Sequence, residues 1–139
     1  MKLFIDTNVI VDLIGEREPF CVDAIKIFAL SEKKKVKLYV SSQSIITTHY
    51  LLKKYISEKK LREILDELTD FVTIIPSTKE FLKKGLKSKH KEFEDAIQLI
   101  SAESIDSVSH IITRNIKDFK DSSVEVLTPS SFIEDYQSK

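Results

Sequence analysis

The acidic residues of this chain fall where a fold would bring carboxylates together. Asp6 directly follows the apolar run Leu3-Phe4-Ile5, Glu94 and Asp95 stand between Phe93 and Ala96, and Asn115 and Asp118 follow the run His110-Ile111-Ile112-Thr113. Singly, each has an ordinary role: Asp is a good helix N-cap, acids in a first helical turn complement the helix dipole, and a polar loop commonly follows a strand. Together they would surround one crevice. Two unit charges about 4 Å apart repel by about 4 kcal/mol at an effective dielectric of 20, so such a cluster needs a cation to offset it. An all-oxygen donor set suits Mg²⁺ or Mn²⁺, whereas zinc favours the His and Cys ligands that this sequence does not cluster. His49, His90 and His110 are scattered, and Cys21, the only cysteine, reads as a small packing residue.

The elements that must position these residues follow from periodicity. Leu3-Phe4-Ile5 reads as a strand buried on both faces, with Asp6 at its carboxyl end and Thr7 or Asn8 capping a helix through Ile14. Gly15 ends that helix. Pro19 fits the first turn of a second one, which runs to about Lys34 and buries Ala24, Ile25, Phe28 and Ala29. Lys37-Leu38-Tyr39-Val40 is the next strand, and Ser41 or Ser42 caps a helix bearing Ile45, Ile46, Tyr50, Leu51 and Leu52, an apolar face for core or dimer contact. Leu61, Ile64, Leu65 and Leu68 mark one face of a helix from Glu58 to Asp70, and the strand Val72-Thr73-Ile74-Ile75 stops at Pro76. Ser77 and Glu80 read as a capping box for a helix to about Lys87.

Phe93, Ala96, Ile97 and Ile100 keep the spacing of another amphipathic helix. Strands at His110–Thr113 and Val124–Leu127 follow, and Thr128-Pro129 starts a C-terminal helix. Strands alternating with helices predict an α/β fold, a three-layer α/β/α sandwich with a mainly parallel central sheet. Ligands of such sheets bind at the carboxyl ends of the strands, where Asp6 and the triplet Thr113-Arg114-Asn115 both fall.

A length of 139 residues fits one domain, 1–139, and 42% hydrophobic residues with only two glycines and three prolines suit a helix-rich globular protein. Lys plus Arg and Asp plus Glu both total 22, so no global basic field draws nucleic acid and any such binding rests on local patches. The densest patch, Lys79, Lys83, Lys84, Lys87, Lys89 and Lys91, reads either as a solvated helix face or as a phosphate track. No apolar run approaches membrane-spanning length, and the charge at Asp6 comes too early for a signal peptide. With a single cysteine, this predicts a soluble, cytoplasmic protein that makes no use of a membrane.

In order along the chain, Leu3-Phe4-Ile5-Asp6-Thr7-Asn8, Phe93-Glu94-Asp95-Ala96, and Thr113-Arg114-Asn115 with Asp118-Phe119 resemble the signature of PIN domains. Asp12 and the stretch Arg17-Glu18-Pro19-Phe20 make the chain similar to the single-domain branch of VapC-like toxins. The resemblance spans nearly the whole chain. It implies a metal-dependent endoribonuclease, the toxin of a type II toxin-antitoxin pair, which hydrolyses RNA phosphodiesters with a metal-activated water and leaves a 5′-phosphate. It further implies that Asp6 and Asp95 bind Mg²⁺ or Mn²⁺, that Thr7 and Asn8 hold the first aspartate, and that Asn115 or Asp118 takes the fourth acidic position. Thr113 and Asp12 are expected to support the site. Arg17 and Arg114 lie near the crevice as RNA contacts, Arg114 pairing either with a phosphate or with a local acid. The expected partners are a cognate antitoxin and a second copy in a homodimer.

One departure stands out. The family commonly carries a glutamate early in the helix after the second strand, and Ser44-Ile45-Ile46-Thr47-Thr48-His49 holds no acid, with Thr47 at that position. Glu94 or Asp12 would have to compensate. The rival reading is a degenerate PIN domain that binds RNA or a protein without cutting. A phosphotransferase of the haloacid dehalogenase type would need an acid where Asn8 stands, and a receiver domain carries its phosphoacceptor after a middle strand.

Overall fold

Short apolar runs pair into an all-parallel sheet of five strands, β1 (Lys2–Ile5), β2 (Lys37–Ser41), β3 (Thr73–Ile75), β4 (His110–Ile112) and β5 (Glu125–Leu127), in the order β3-β2-β1-β4-β5. A computed structural model describes every residue from Met1 to Lys139. The crossovers hold helices α1 (Thr7–Ile14), α2 (Phe20–Glu32), α3 (Ser42–Leu52), α4 (Glu58–Phe71), α5 (Lys79–Leu86) and α6 (Phe93–Glu103), and α7 (Pro129–Gln137) closes the chain. A 3₁₀ helix, Ile116–Phe119, follows β4.

Alternation along the strands divides the core into two layers. Leu3, Ile5, Leu38, Val40 and Ile112 pack with Val9, Ile10, Ala24, Ile27, Leu61 and Phe132 on one face of the sheet. Phe4, Tyr39 and Ile111 pack with Leu99, Ala102 and Phe119 on the other. Each such fully buried side chain contributes about 1.5–3 kcal/mol, so the central strands that end at the site are the best anchored. The predicted three-layer arrangement is observed, and no helix is long and apolar enough to cross a membrane.

Asp6 takes the N-cap role of α1 that its residue type allowed, in place of Thr7 or Asn8, accepting from the Thr7 amide, and three other local features differ from the sequence reading. Thr78, not Ser77, caps α5, its hydroxyl accepting from the Phe81 amide, while the Ser77 hydroxyl is turned to α3 and accepts from Ser42 Oγ at 3.2 Å. On α2 the inward residues are Cys21, Ala24 and Ile27, while Ile25 is half-exposed; Ile25, Phe28 and Ala29 border an open groove with Leu13 and Phe71. α3 splits its apolar residues, burying Leu52 and exposing Ile46 and Tyr50.

From β1 the chain adds β2 and β3 on one side, whereas β4 and β5 lie on the other. Strand order therefore reverses between β1 and β4, which opens a crevice at their carboxyl ends. The Asp6 amide donates to Ile112 O at 3.0 Å, and the Thr113 amide to Leu127 O at 3.0 Å, so sheet pairing fixes both residues at that crevice.

Candidate functional site

Asp6 is buried, and a burial of this kind is tolerable for a carboxylate only when it is hydrogen-bonded. Its Oδ1 accepts from the Thr7 amide at 2.9 Å and from Gln98 Nε2 at 3.0 Å. Its Oδ2 accepts from Thr113 Oγ1 at 2.7 Å and from Asn8 Nδ2 at 3.3 Å. Asn8 also donates to Thr113 Oγ1 at 3.3 Å and accepts from the Arg114 amide at 3.2 Å, tying α1 to the segment after β4. Thr7, Asn8 and Thr113 thus orient Asp6. Desolvation nevertheless pushes the Asp6 carboxyl above its ordinary pKa, with those hydrogen bonds opposing the shift and the charge of Asp118 adding to it.

Gln98, one turn beyond Asp95 on α6, was not singled out from sequence, where it reads as a polar break in an apolar stripe. It is fully buried and joins the site to α3: besides Asp6 it donates to Ser44 Oγ at 2.9 Å, and Ser41 Oγ donates to its carbonyl. Ser44 in turn shares a hydrogen with Thr7 Oγ1 at 2.8 Å. The sequence signal for this network was the serine-rich start of α3 facing a lone amide on α6.

Asp6, Glu94, Asp95, Asn115 and Asp118 line one cleft of about 200 Å³, together with Thr7, Asn8, Thr47, Gln98 and Arg17. Desolvation, followed by the charges of Asp118, Asp6, Glu94 and Glu92, pushes Asp95 up to about 6. The acids therefore feel one another across the cleft. Thr47 stands on its α3 wall, as the alignment of motifs predicted, and its hydroxyl donates to Glu94 Oε1 at 2.5 Å while accepting from Gln43 Nε2 at 3.1 Å.

Two predicted site residues lie elsewhere. Asp12 does not face the cleft and cannot replace the missing glutamate: it is buried at 1% exposure beneath Arg114, whose Nε and Nη2 donate to its two oxygens at 2.5 and 3.2 Å. Arg114, expected at the RNA, is engaged by that bidentate pair and lies over the Phe20 ring at 4.0 Å. A buried carboxylate requires a partner more strongly than an exposed loop requires a free arginine. Arg17 is the cation that lines the cleft.

The donors in the cleft are carboxylate and amide oxygens, a hard set that fits Mg²⁺ or Mn²⁺. Two of the acids hold their protons more tightly than usual, so a cation that displaced those protons would relieve both desolvation and mutual repulsion. As the side chains stand, no three Asp, Glu, His or Cys residues are gathered into a ready-made cage; Glu94 is exposed and held by Thr47, and Asp95 is half-buried.

Asp6, Asp95 and Asp118 thus line a cleft at the switch point of a parallel sheet, and a family model described as PIN domain matches residues 2–117. The chain belongs to the PIN-domain family. It is similar to Ribonuclease VapC1 of Aquifex aeolicus (strain VF5), at 33% identity over 141 residues, covering 96% of this chain and 94% of that protein. Among solved structures it is similar to a toxin-antitoxin complex from Klebsiella pneumoniae, with 28% identity, 91% of this chain and 97% of that one covered, and a TM-score of 0.65. VapBC2 from Rickettsia felis, solved with a DNA fragment from its promoter, shares the fold at a TM-score of 0.66 with 17% identity over 92% of this chain and 98% of its own.

Proposed function

We propose that residues 1–139 act as a single PIN-like domain that is a metal-dependent endoribonuclease, the toxin of a cytoplasmic toxin-antitoxin pair. The observation that carries this reading is the cleft itself, which Asp6 and Asp95 share with Asp118 and Glu94, and where burial and the neighbouring acids raise the proton affinity of Asp95, and burial and Asp118 that of Asp6. The likeness to Ribonuclease VapC1 over 96% of the chain supports an RNA phosphodiester as substrate. The toxin-antitoxin complexes among its structural relatives support a cognate antitoxin and assembly beyond one copy.

In this reading Asp6 and Asp95 hold Mg²⁺ or Mn²⁺, with Glu94, Asp118 and the Asn115 amide completing the set. When bound, such an ion supplies positive charge against the phosphate and acidifies a water molecule for hydrolysis. The protein's part is orientation. Gln98, Thr113, Asn8 and the Thr7 amide fix both oxygens of Asp6, Thr47 holds Glu94 against the α3 wall, and Arg17 offers a phosphate contact at the cleft edge. The absent acid of α3 favours the rival reading, a domain that binds RNA or protein without cutting; the Thr47–Glu94 contact answers it by bringing a carboxylate to that wall from α6.

Incubation of mixed cellular RNA with the native chain, Asp6→Asn and Asp95→Asn, each in Mg²⁺, Mn²⁺ or EDTA, tests the proposal. Cleavage by the native chain alone, abolished by EDTA, is expected. Cleavage that persists in EDTA or in both variants contradicts it.

A further inference from the structure

The lysines of α5 (Lys79, Lys83, Lys84), Lys87 at its C-cap and Lys89 and Lys91 in the loop after it are all exposed, and Glu80 is the only acid between positions 79 and 91. None of the six is in an ion pair, whereas Lys26, Arg62 and Arg114 each find a carboxylate. Six lysines against one acid make this the densest basic stretch of a chain with zero net charge.

Two contacts fix where that stretch lies. Gly85 is buried against α6, and a Cβ there would come 2.8 Å from Ile97 Cδ1 and 3.1 Å from Phe93 Cε1, so glycine is what lets α5 sit this close to the first turns of α6. Ser88 then closes the turn, its hydroxyl donating to Gly85 O at 2.7 Å and accepting from the His90 amide at 3.4 Å. Lys91 precedes Asp95 by four residues, and an extended chain spans at most about 3.6 Å per residue, so the Lys91 backbone lies within about 14 Å of an acid of the cleft.

We propose that Lys87, Lys89 and Lys91, backed by the lysines of α5, bind the phosphates of single-stranded RNA beside the acidic cleft. This rests on the ribonuclease reading and adds to it the path of the substrate. An acidic cleft alone repels a polyanion; a cationic margin one turn away holds the backbone in place without reading its sequence, as lysine point charges do.

The test is fluorescence anisotropy of a labelled oligouridine in EDTA, across a salt series. It compares the native chain, the triple variant Lys87→Ala/Lys89→Ala/Lys91→Ala, and the charge-matched control Lys26→Ala/Lys33→Ala/Lys35→Ala on and after α2. For single strands each phosphate contact contributes about 0.7 to the slope of log K against log salt, so the triple variant should be shallower by about 2 and arginine at the same three positions should restore the slope. A slope equal to the native one, or an equal flattening by the control, overturns the proposal, as does weakened binding of duplex DNA with RNA binding unchanged. A native chain that cuts RNA while the slopes stay equal refutes only the lysine track; one that neither binds oligouridine nor cuts RNA refutes the ribonuclease reading and the track with it.

Discussion

Thr47 on α3 and Glu94 on α6 meet across the cleft, the hydroxyl donating to the carboxylate at 2.5 Å. The α3 wall, where the sequence holds no acid between Ser44 and His49, is thus met by a carboxylate from α6. If Glu94 serves as the acid of that wall, Glu94→Gln should lower RNA cleavage by about tenfold or more, the usual loss when a metal site's supporting contact is removed. Thr47→Glu placed in the same background should recover much of the loss. No recovery, with the fold intact by circular dichroism, means that the two positions do not substitute for each other.

Gln98 carries a structural load that can be read from stability. Gln98→Leu removes a donor to Asp6 and to Ser44 and leaves Ser41 Oγ without its acceptor, all in a buried setting. Unsatisfied buried polar groups cost about 1–3 kcal/mol each. Thermal unfolding should show Tm lowered by at least several degrees; a native-like Tm would mean that the network does not hold the site.

The raised pKa of Asp95 gives stability a pH signature. Its value of about 6 lies above the ordinary 3.8, so between these values the folded state binds more protons than the unfolded one. Stability of the metal-free chain should therefore fall as pH rises through that window, with Asp95→Asn lessening the fall and buried Asp6, whose carboxyl is raised as well, supplying the remainder. Cleavage should run the opposite way, rising as Asp95 loses its proton. Denaturant unfolding in EDTA across the window, with and without Asp95→Asn, measures the first trend; identical pH dependence in both proteins would contradict it.

The Arg114–Asp12 pair predicts a variant that damages the fold more than the chemistry. Arg114→Ala leaves Asp12 buried without its partner, a loss of about 3–5 kcal/mol for pairs of this kind. The remaining folded protein should cleave RNA with kcat close to native. A large drop in kcat with native stability would return Arg114 to the substrate.

The strand-end logic was legible because it depends on short range order: Leu3–Ile5 and Leu38–Val40 are buried strands, and Asp6, Glu94, Asp95, Asn115 and Asp118 reach one cleft because the strand order reverses at β1. The caps Ser41 and Thr128 were also readable, since their hydroxyls act within three residues. The rest needed tertiary distances. Nothing local shows that Asp12 and Arg114, 102 positions apart, are paired, or that Gln98 faces the core rather than solvent. The inward stripe of α2 differs for the same reason: it runs through Cys21, Ala24 and Ile27, rotated about the helix from the stripe of Ile25, Phe28 and Ala29, and packing against α1 and α7 sets that rotation.

Calorimetric titration of Mn²⁺ into the native chain, Asp6→Asn, Asp95→Asn and Glu94→Gln at neutral pH tests the central claim most directly. Saturable binding by the native chain, lost in both aspartate variants and weakened in Glu94→Gln, is the predicted result. Native-like binding in both aspartate variants, or no saturable binding by the native chain, would contradict a metal centre built on Asp6 and Asp95.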